Sequence, residues 1–167
     1  MSKIFVTVGN TIHSFDRLIK SIDNVQFNKK INFTVQYGYS KYIPENIKNT
    51  YKFINRNEFY RIFNNSDLII SHAGIGTTID CIRNRKKMIM VPRMYKYNEH
   101  FNDHQLEIAK EIENKYENIK IVYNISNLKN DIFSLLNKDV KYPTPPNLKS
   151  LPLVCKIKEF IQNEKEI

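Results

Sequence analysis

Two glycines in one short loop, Gly74 and Gly76, have the spacing that most directly suggests chemistry. An apolar run, Leu68 to Ile70, precedes them with the length and branching of a buried strand, and a helix is predicted from Thr77 to Arg83. Such a unit can bind a diphosphate, because glycines let the backbone approach the ligand and a helix start offers free N–H groups. The alternative is an ordinary tight turn, since the third glycine of the dinucleotide fingerprint is missing.

A polar cluster runs from Asn98 to Gln105, where seven of eight side chains can form hydrogen bonds at a predicted junction between a loop and a helix. Polar groups at a helix start suit the recognition of sugar hydroxyls. His100 and His104 stand four apart, as in a helical zinc site, but the zinc-protease pattern needs glutamate directly after the first histidine, and phenylalanine follows here. We therefore expect no metal. The alternative role of Asp103 is a helix N-cap.

Two further candidates flank these motifs. Asp80 lies about one helical turn beyond Gly76, where a carboxylate can accept hydrogen bonds from both ribose hydroxyls of a nucleotide; the alternative is a favourable charge near the helix N-terminus.

Gly9 and Asn10 follow the first predicted strand and should lie beside the Gly74 loop, because the first and fourth strands are neighbours in a doubly wound sheet. His13 is a candidate base or phosphate ligand, or simply a surface histidine.

Covalent catalysis has no signature in the chain. It contains no Gly-x-Ser-x-Gly elbow and no Walker loop. Cys81 and Cys155 lie far apart without metal-ligand spacing, and we expect free thiols in a reducing compartment. Any catalysis by this chain would be electrostatic and positional.

Composition indicates a single folded domain. The 167 residues are 41% hydrophobic and 26% charged, without an apolar run of the roughly 18 residues that span a membrane. The first strand begins beside Met1, so we expect no signal peptide. The net charge of +9 fits nucleic acid, an anionic membrane surface, phosphate-bearing substrates or a solvated lysine-rich surface. The basic cluster from Arg83 to Lys87 lacks interleaved aromatics, and we expect no nucleic-acid partner.

Six apolar segments that alternate with helical patterns predict an α/β fold, a doubly wound and mostly parallel sheet of about six strands. The third strand is predicted at Tyr51 to Ile54, and a long helix from about Asp103 to Tyr116. We predict one domain over residues 1–137, a proline-rich linker over 138–151 and an amphipathic C-terminal helix over 152–167.

Five segments together resemble the C-terminal half of family 28 glycosyltransferases. They are Phe5–Gly9, Phe15–Ile19, His72–Gly76, Val91–Arg93 and Glu99–Gln105. The resemblance covers roughly residues 3–136. It is strongest to the short catalytic subunits of two-component enzymes, namely the capsule and exopolysaccharide β-1,4-galactosyl- or glucuronosyltransferase subunits and the soluble subunit of the dolichol-diphosphate N-acetylglucosaminyltransferase. Asn10 and Thr11 stand where capsule-type subunits usually have Thr-His, which displaces His13.

The resemblance implies a Rossmann-like domain, the C-terminal half of a GT-B fold, and inverting transfer from a UDP-sugar without a cofactor or bound metal. By position, the main chain near Ile54 would contact the uracil, Gly74 to Thr77 the diphosphate and Asp80 the ribose. Gln105, with His104, would contact the donor sugar. The implied substrate-binding residues are Gly9, Asn10, Ile54, His72, Gly74, Ile75, Gly76, Thr77, Asp80, Glu99, His100, Asp103, His104 and Gln105, and His13 is the one catalytic candidate.

The same resemblance implies a membrane-anchored, acceptor-binding glycosyltransferase subunit as the partner and a lipid-diphosphate-linked saccharide as the acceptor. The C-terminal helix would dock on that partner, which would hold the chain at the cytoplasmic face of a membrane as a peripheral protein. Two alternatives stay open: a non-catalytic nucleotide-sugar-binding regulatory module, and a basic nucleic-acid binder. Galactose, glucose, glucuronic acid and N-acetylglucosamine are all compatible donor sugars.

Overall fold

In the computed structural model of the chain, residues 1–25 and 31–142 are described, and they contain six strands in one parallel sheet. The strands are β1 (Ser2–Thr7), β2 (Ile31–Gln36), β3 (Asn49–Tyr51), β4 (Leu68–Ser71), β5 (Lys87–Met90) and β6 (Ile119–Ile121). The helices are α1 (Asp16–Asp23), α2 (Arg56–Asn64), α3 (Ile75–Arg83), α4 (His104–Ile112) and α5 (Leu128–Asn137). The strand order is β3-β2-β1-β4-β5-β6, so the predicted doubly wound α/β sheet is confirmed.

Strand β1 lies at the centre, between β2 and β4. Its side chains alternate between two buried layers: Ile4 and Val6 belong to one, and Phe5 to the other. A strand covered on both faces reads as a continuous apolar run, and the run from Ile4 to Val8 predicted β1, although the strand itself spans Ser2–Thr7. The carboxyl ends of β1 and β4 are therefore adjacent, and the loops that follow them meet at one edge of the sheet.

Helices pack on both faces of the sheet. On one face the core includes Leu18 and Ile22 of α1 with Ile132 of α5. On the other face it includes Phe63 of α2 and Cys81 of α3. Each helix buries one apolar stripe, and this burial supplies most of the driving force for folding.

The third strand was predicted at Tyr51 to Ile54 but spans Asn49–Tyr51, so the prediction began two residues late and ended three residues late. Strand β3 pairs with β2 from Asn49, opposite Thr34, to Tyr51, opposite Gln36. The strand ends where this pairing stops. The apolar pair Phe53 and Ile54, which prompted the prediction, follows in the loop that leads to α2. Side-chain hydrophobicity extended the predicted strand past the point where backbone pairing stops.

Two helix boundaries also differ from the prediction. Helix α3 begins at Ile75 rather than Thr77, with Gly74 at its N-cap. Helix α4 ends at Ile112 rather than Tyr116, because the backbone of Glu113 is extended and Asn114 has a left-handed φ of 63°. A left-handed residue ends an α-helix, and asparagine tolerates that conformation better than most residues.

Most of the predicted linker and all of the predicted C-terminal helix lie outside the described residues, as does Cys155. Cys81 is a free, buried thiol. Among the helices of the described ranges, none is both long enough and apolar enough to cross a membrane.

Candidate functional site

The ring of His72 occupies the meeting point of the two glycine loops. A Cβ atom on Gly9 would lie 2.6 Å from Cε1 of this ring, and a Cβ on Gly74 would lie 2.2 Å from Nε2. Gly9 also has a φ of 73°, a conformation that residues with side chains rarely adopt. The loops after β1 and β4 therefore pack together through one imidazole, and both glycines are required by its position.

The N-terminus of α3 is open to solvent directly beyond this contact. Gly74 is the N-cap, and Ile75 and Gly76 are exposed. A Cβ on Gly76 would meet no atom within 4 Å, so the space beside it is empty. The first intrahelical bond comes from the N–H of Thr78 to the carbonyl of Gly74, which leaves the preceding N–H groups without helical partners. Those N–H groups and the helix dipole favour an anion here.

His72 is neutral at physiological pH in this environment. Burial is the main reason that its pKa falls to about 4, and the charges of Arg93 and His100 lower it further. A backbone hydrogen bond with Thr7 acts in the opposite direction. Its Nδ1 lies 3.2 Å from the hydroxyl of Ser71. The imidazole thus acts as packing between two loops rather than as a cation.

Asp80 lies further along α3, on the side that faces α2. Its Oδ2 accepts a hydrogen bond from the hydroxyl of Tyr60 at 3.0 Å, and this contact raises the pKa of Tyr60. Ile54 is half-buried in the loop before α2 and packs against the core on that face. Tyr60 was not among the predicted residues, because a tyrosine in an apolar helix stripe reads as core.

The residue that connects the loops is Arg93, which is fully buried. Its guanidinium donates to four backbone carbonyls at 2.8 to 3.1 Å, namely those of Val8, His13, Ser14 and Glu99. It also lies over the ring of Phe15, 4.4 Å from the centroid. Desolvation lowers its pKa to about 10, so it stays charged. Arg93 binds the loop after β1 to the loop after β5.

An ion pair between Arg17 and Glu99 adds to these contacts. Arg17 of α1 donates to both carboxylate oxygens of Glu99 at 2.8 and 2.9 Å, and to the carbonyl of Pro92. Glu99 also accepts from the N–H of Met94 and is only 3% exposed. The predicted substrate-binding role of Glu99 has no support in this geometry, because both of its oxygens are already engaged within the protein.

The predicted sugar-binding residues of α4 differ in exposure. Gln105 is buried, and its Oε1 accepts from the N–H of Arg93 at 3.1 Å. Asp103 occupies the N-cap position without capping, since its carboxylate accepts from the N–H of Tyr95 instead. His104 is exposed and lies 3.2 Å from Glu107. Asp103 and Gln105 therefore shape the loop between β5 and α4.

The side chain of Asn10 is oriented by a hydrogen-bond chain from two buried polar residues, Thr7 and Gln36. The hydroxyl of Thr7 donates to Oε1 of Gln36 at 2.9 Å, and Nε2 of Gln36 donates to Oδ1 of Asn10 at 3.3 Å. Asn10 itself is exposed. Its amide is thus presented at the edge of the sheet next to Gly9.

Three rings cluster at the outer rim of these loops. The His100 ring stacks on Phe101 with centroids 4.2 Å apart, and the His13 ring lies 6.0 Å from His100 and 6.3 Å from Phe101. Phe101 is 70% exposed. The structure therefore brings His13 together with His100, which the sequence placed in separate motifs. Within the described ranges, no three His, Cys, Asp or Glu side chains form a group that could hold a metal ion.

The buried residues Arg93 and Gln36 and the partly buried Arg17 were missed as members of the site. The two arginines stand in segments that carried the family resemblance, but their partners are backbone carbonyls and a distant carboxylate. The spacing of residues along the sequence does not predict contacts of this kind.

Comparison with known proteins identifies relatives of this chain. The family model described as "Glycosyltransferase family 28 C-terminal domain" matches residues 3–158. The UDP-N-acetylglucosamine transferase subunit ALG13 of Homo sapiens is 30% identical over 128 residues, which is 67% of this chain. The ALG13 subunit of Mus musculus is 29% identical over 125 residues. The chain matches about a tenth of the length of these curated relatives, 10% in each case.

Solved structures show the same fold. The MurG crystal structure of Acinetobacter baumannii superposes with a TM-score of 0.58 at 20% identity, over 82% of this chain and 42% of that one. The NMR solution structure of ALG13 gives a TM-score of 0.58 at 20% identity, over 92% and 94% of the two chains. The predicted Rossmann-like fold is confirmed.

Proposed function

The chain belongs to glycosyltransferase family 28, whose C-terminal domain matches nearly its whole length, and we propose that it is the donor-binding, catalytic subunit of a two-component inverting glycosyltransferase. The observation that carries this proposal is the packing of Gly9 and Gly74 on His72 beneath the open N-terminus of α3. Empty space beside Gly76 and unpaired N–H groups suit the diphosphate of a UDP-sugar.

The remaining donor contacts follow along the same edge of the sheet. The N–H groups of Ile75, Gly76 and Thr77 bind the diphosphate, and Asp80 accepts hydrogen bonds from the ribose while Tyr60 holds its carboxylate. The main chain near Ile54 contacts the uracil. Asn10, His100 and His104, all at this end of the sheet, contact the donor sugar. The reaction needs no metal or cofactor, because the α3 N-terminus stabilises the charge on the departing UDP.

The acceptor site belongs to a partner. The chain covers 42% of the MurG chain in the solved structure, and the human relative is described as a subunit. A chain that corresponds to one half of such an enzyme forms only one wall of the cleft between the two halves. We therefore assign the lipid-diphosphate-linked saccharide acceptor and the membrane anchor to a second glycosyltransferase subunit. This arrangement places the chain at the cytoplasmic face of a membrane, held there as a peripheral protein by its partner.

Calorimetric titration of the purified chain with UDP and a panel of UDP-sugars tests the donor site. Asp80→Ala should weaken UDP binding about tenfold or more, since it removes charge-assisted hydrogen bonds to the ribose. Glu111→Ala is the matched control, because it removes an equal charge from an exposed pair with Lys115 and should change nothing. Equal affinity of wild type and Asp80→Ala for UDP would contradict the assignment of the ribose site.

Turnover separates a catalytic subunit from a regulatory one. The chain co-purified with its membrane partner should transfer sugar to a lipid-diphosphate-linked acceptor, whereas the chain alone should be nearly inactive. A complex that binds the UDP-sugar but never transfers it would identify a regulatory module instead.

A further inference from the structure

We propose that His100 is the catalytic base of the transfer, with Nε2 of its ring taking the proton of the acceptor hydroxyl. This inference rests on the proposed function and assigns the base to this chain rather than to the partner. It is carried by three observations: the fixed tautomer of the ring, its half-buried position 6.0 Å from the His13 ring of the loop after β1, and the rigid support of the loop that bears it.

The tautomer follows from the contacts of Asn102. Its Oδ1 accepts a hydrogen bond from the N–H of His104 at 3.2 Å, which identifies this atom as the amide oxygen. The same oxygen lies 2.9 Å from Nδ1 of His100. An amide oxygen only accepts, so Nδ1 must carry the proton, and the neutral ring has its lone pair on Nε2. A longer contact of 3.4 Å from the N–H of Asn102 to Nδ1 is too weak to reverse this assignment.

The other three histidines fit the role of base less well. His72 is half-buried, and Nε2 of its ring faces the positions that a Cβ on Gly9 or Gly74 would occupy. His104 is exposed and directed to Glu107. Among the described residues, the His13 ring has no hydrogen-bond partner that would set its tautomer, although it lies 6.0 Å from the His100 ring. His100 alone combines a fixed proton on one nitrogen with a half-buried ring at the rim of the site.

The loop that bears His100 is held with unusual firmness for an exposed segment. The carbonyl of Glu99, the preceding residue, accepts a hydrogen bond from Arg93, and its carboxylate accepts two from Arg17. The same Arg93 binds the carbonyl of His13 on the opposite loop. Burying Arg93 and Glu99 is costly, and their hydrogen bonds, with those of the partly buried Arg17, fix the position of both imidazoles. Catalytic groups need such support, because small displacements of a base greatly reduce its effectiveness.

The chemical step balances without another reactant. The acceptor hydroxyl oxygen forms a bond to the anomeric carbon of the donor sugar, while the bond from that carbon to the UDP oxygen breaks and its electron pair leaves with UDP. The hydroxyl proton passes to Nε2 of His100. The resulting imidazolium then releases this proton to solvent.

Kinetics of the complex with its partner test the proposal. His100→Asn keeps a polar group near the position of Nδ1 but lacks Nε2, and it should lower kcat about a hundredfold or more while the Kd for UDP stays within twofold.

Added imidazole should restore part of the turnover of His100→Gly. Asn102→Asp, which preserves an acceptor for the Nδ1 proton, should rescue the defect of Asn102→Leu. A His100→Asn complex that retains a third of the wild-type kcat, or a loss confined to His13→Asn, would overturn the proposal.

A measurement independent of turnover tests the premise. Nitrogen-15 NMR of the full chain saturated with UDP distinguishes the two imidazole tautomers, and His100 should show the proton on Nδ1. A proton on Nε2 would overturn the proposal even if the complex is active. A wild-type complex could also bind UDP saturably and show the expected tautomer but never transfer sugar. That result would refute the proposed function, and the role of His100 with it.

Discussion

The ring of His72 fills the space that a side chain on Gly74 would need: a Cβ there would lie 2.2 Å from Nε2 of the ring. The first residue after β4 and the N-cap of α3 are thus fitted to one another. Because the same ring also excludes a side chain at Gly9, the histidine sets the separation of two loops that belong to neighbouring strands.

Gly74→Ala should therefore destabilise the protein. The new methyl group would displace His72 from a packed position, at an expected cost of about 1–3 kcal/mol in the free energy of unfolding. Chemical denaturation measures the change, and UDP affinity should fall with it because the N-terminus of α3 moves. An unfolding free energy equal to that of wild type would show that the ring can move freely.

Gly76→Ala should separate stability from binding. Its Cβ meets nothing within 4 Å, and alanine is favoured over glycine in a helix, so stability should be unchanged or rise by up to about 1 kcal/mol. The same methyl group would occupy the space that we assign to the diphosphate, so UDP affinity should fall. Thermal unfolding and titration on one preparation test both expectations, and unchanged affinity would place the diphosphate elsewhere.

Glu99→Ala should cost much more stability than a matched surface change. It leaves Arg17 without its carboxylate at a site where the two side chains are 17% and 4% exposed, and we expect a loss of about 2–4 kcal/mol. Glu58→Ala is the control, since its partner Arg61 is 65% exposed and solvent screens that pair, so the loss of stability should be much smaller. Similar losses in the two variants would contradict the assigned role of Glu99.

Arg93→Lys should be destabilising although it keeps the charge. Lysine offers a compact ammonium in place of a planar guanidinium, so it cannot donate to the carbonyls of Val8, His13 and Glu99 together. We expect a loss of about 1–3 kcal/mol for carbonyls left buried without donors. Faster amide exchange in the loops after β1 and β5, with unchanged exchange in β2, would locate the effect.

His72 should make the fold sensitive to mild acid. Its pKa is about 4 in the folded protein against an ordinary value of 6.5, so between these values the unfolded chain binds the extra proton. The stability that depends on neutral His72 is complete above about pH 6.5 and falls as the pH approaches 4. We expect a loss of about 2 kcal/mol by pH 5 from this group. Denaturation of His72→Gln at pH 7.5 and pH 5 should lack this part of the loss.

The sheet and the glycine loop were predictable from the sequence, because their signals are local. Strands β1 and β4 contain the apolar runs Ile4 to Val6 and Leu68 to Ile70, and Gly74 follows β4 by three residues. The network of Arg93 was not predictable, since its acceptors are backbone carbonyls from residues as distant as Val8. Backbone acceptors leave no trace in residue type, so only the folded arrangement reveals which arginine is internal.

The rim of the site shows the same limit. His13 and His100 were assigned to different motifs, and their proximity depends on two loops that meet across the edge of the sheet. Glu99 lies within a polar segment, and that position favoured a ligand role. In the structure its carboxylate instead pairs with Arg17 inside the protein. Spacing along the chain indicates which residues are polar, but not which of them find partners inside the protein.

The central position of β1 has a consequence for the order of events during synthesis. This strand is made first, yet its second edge is closed only by β4, whose Leu68 pairs with Ile4. A nascent chain that stops before β4 would expose a long unpaired edge together with apolar side chains such as Phe5. Truncated products are therefore expected to aggregate or to be degraded, and ribosome pausing before β4 should lower the yield more than pausing after β6.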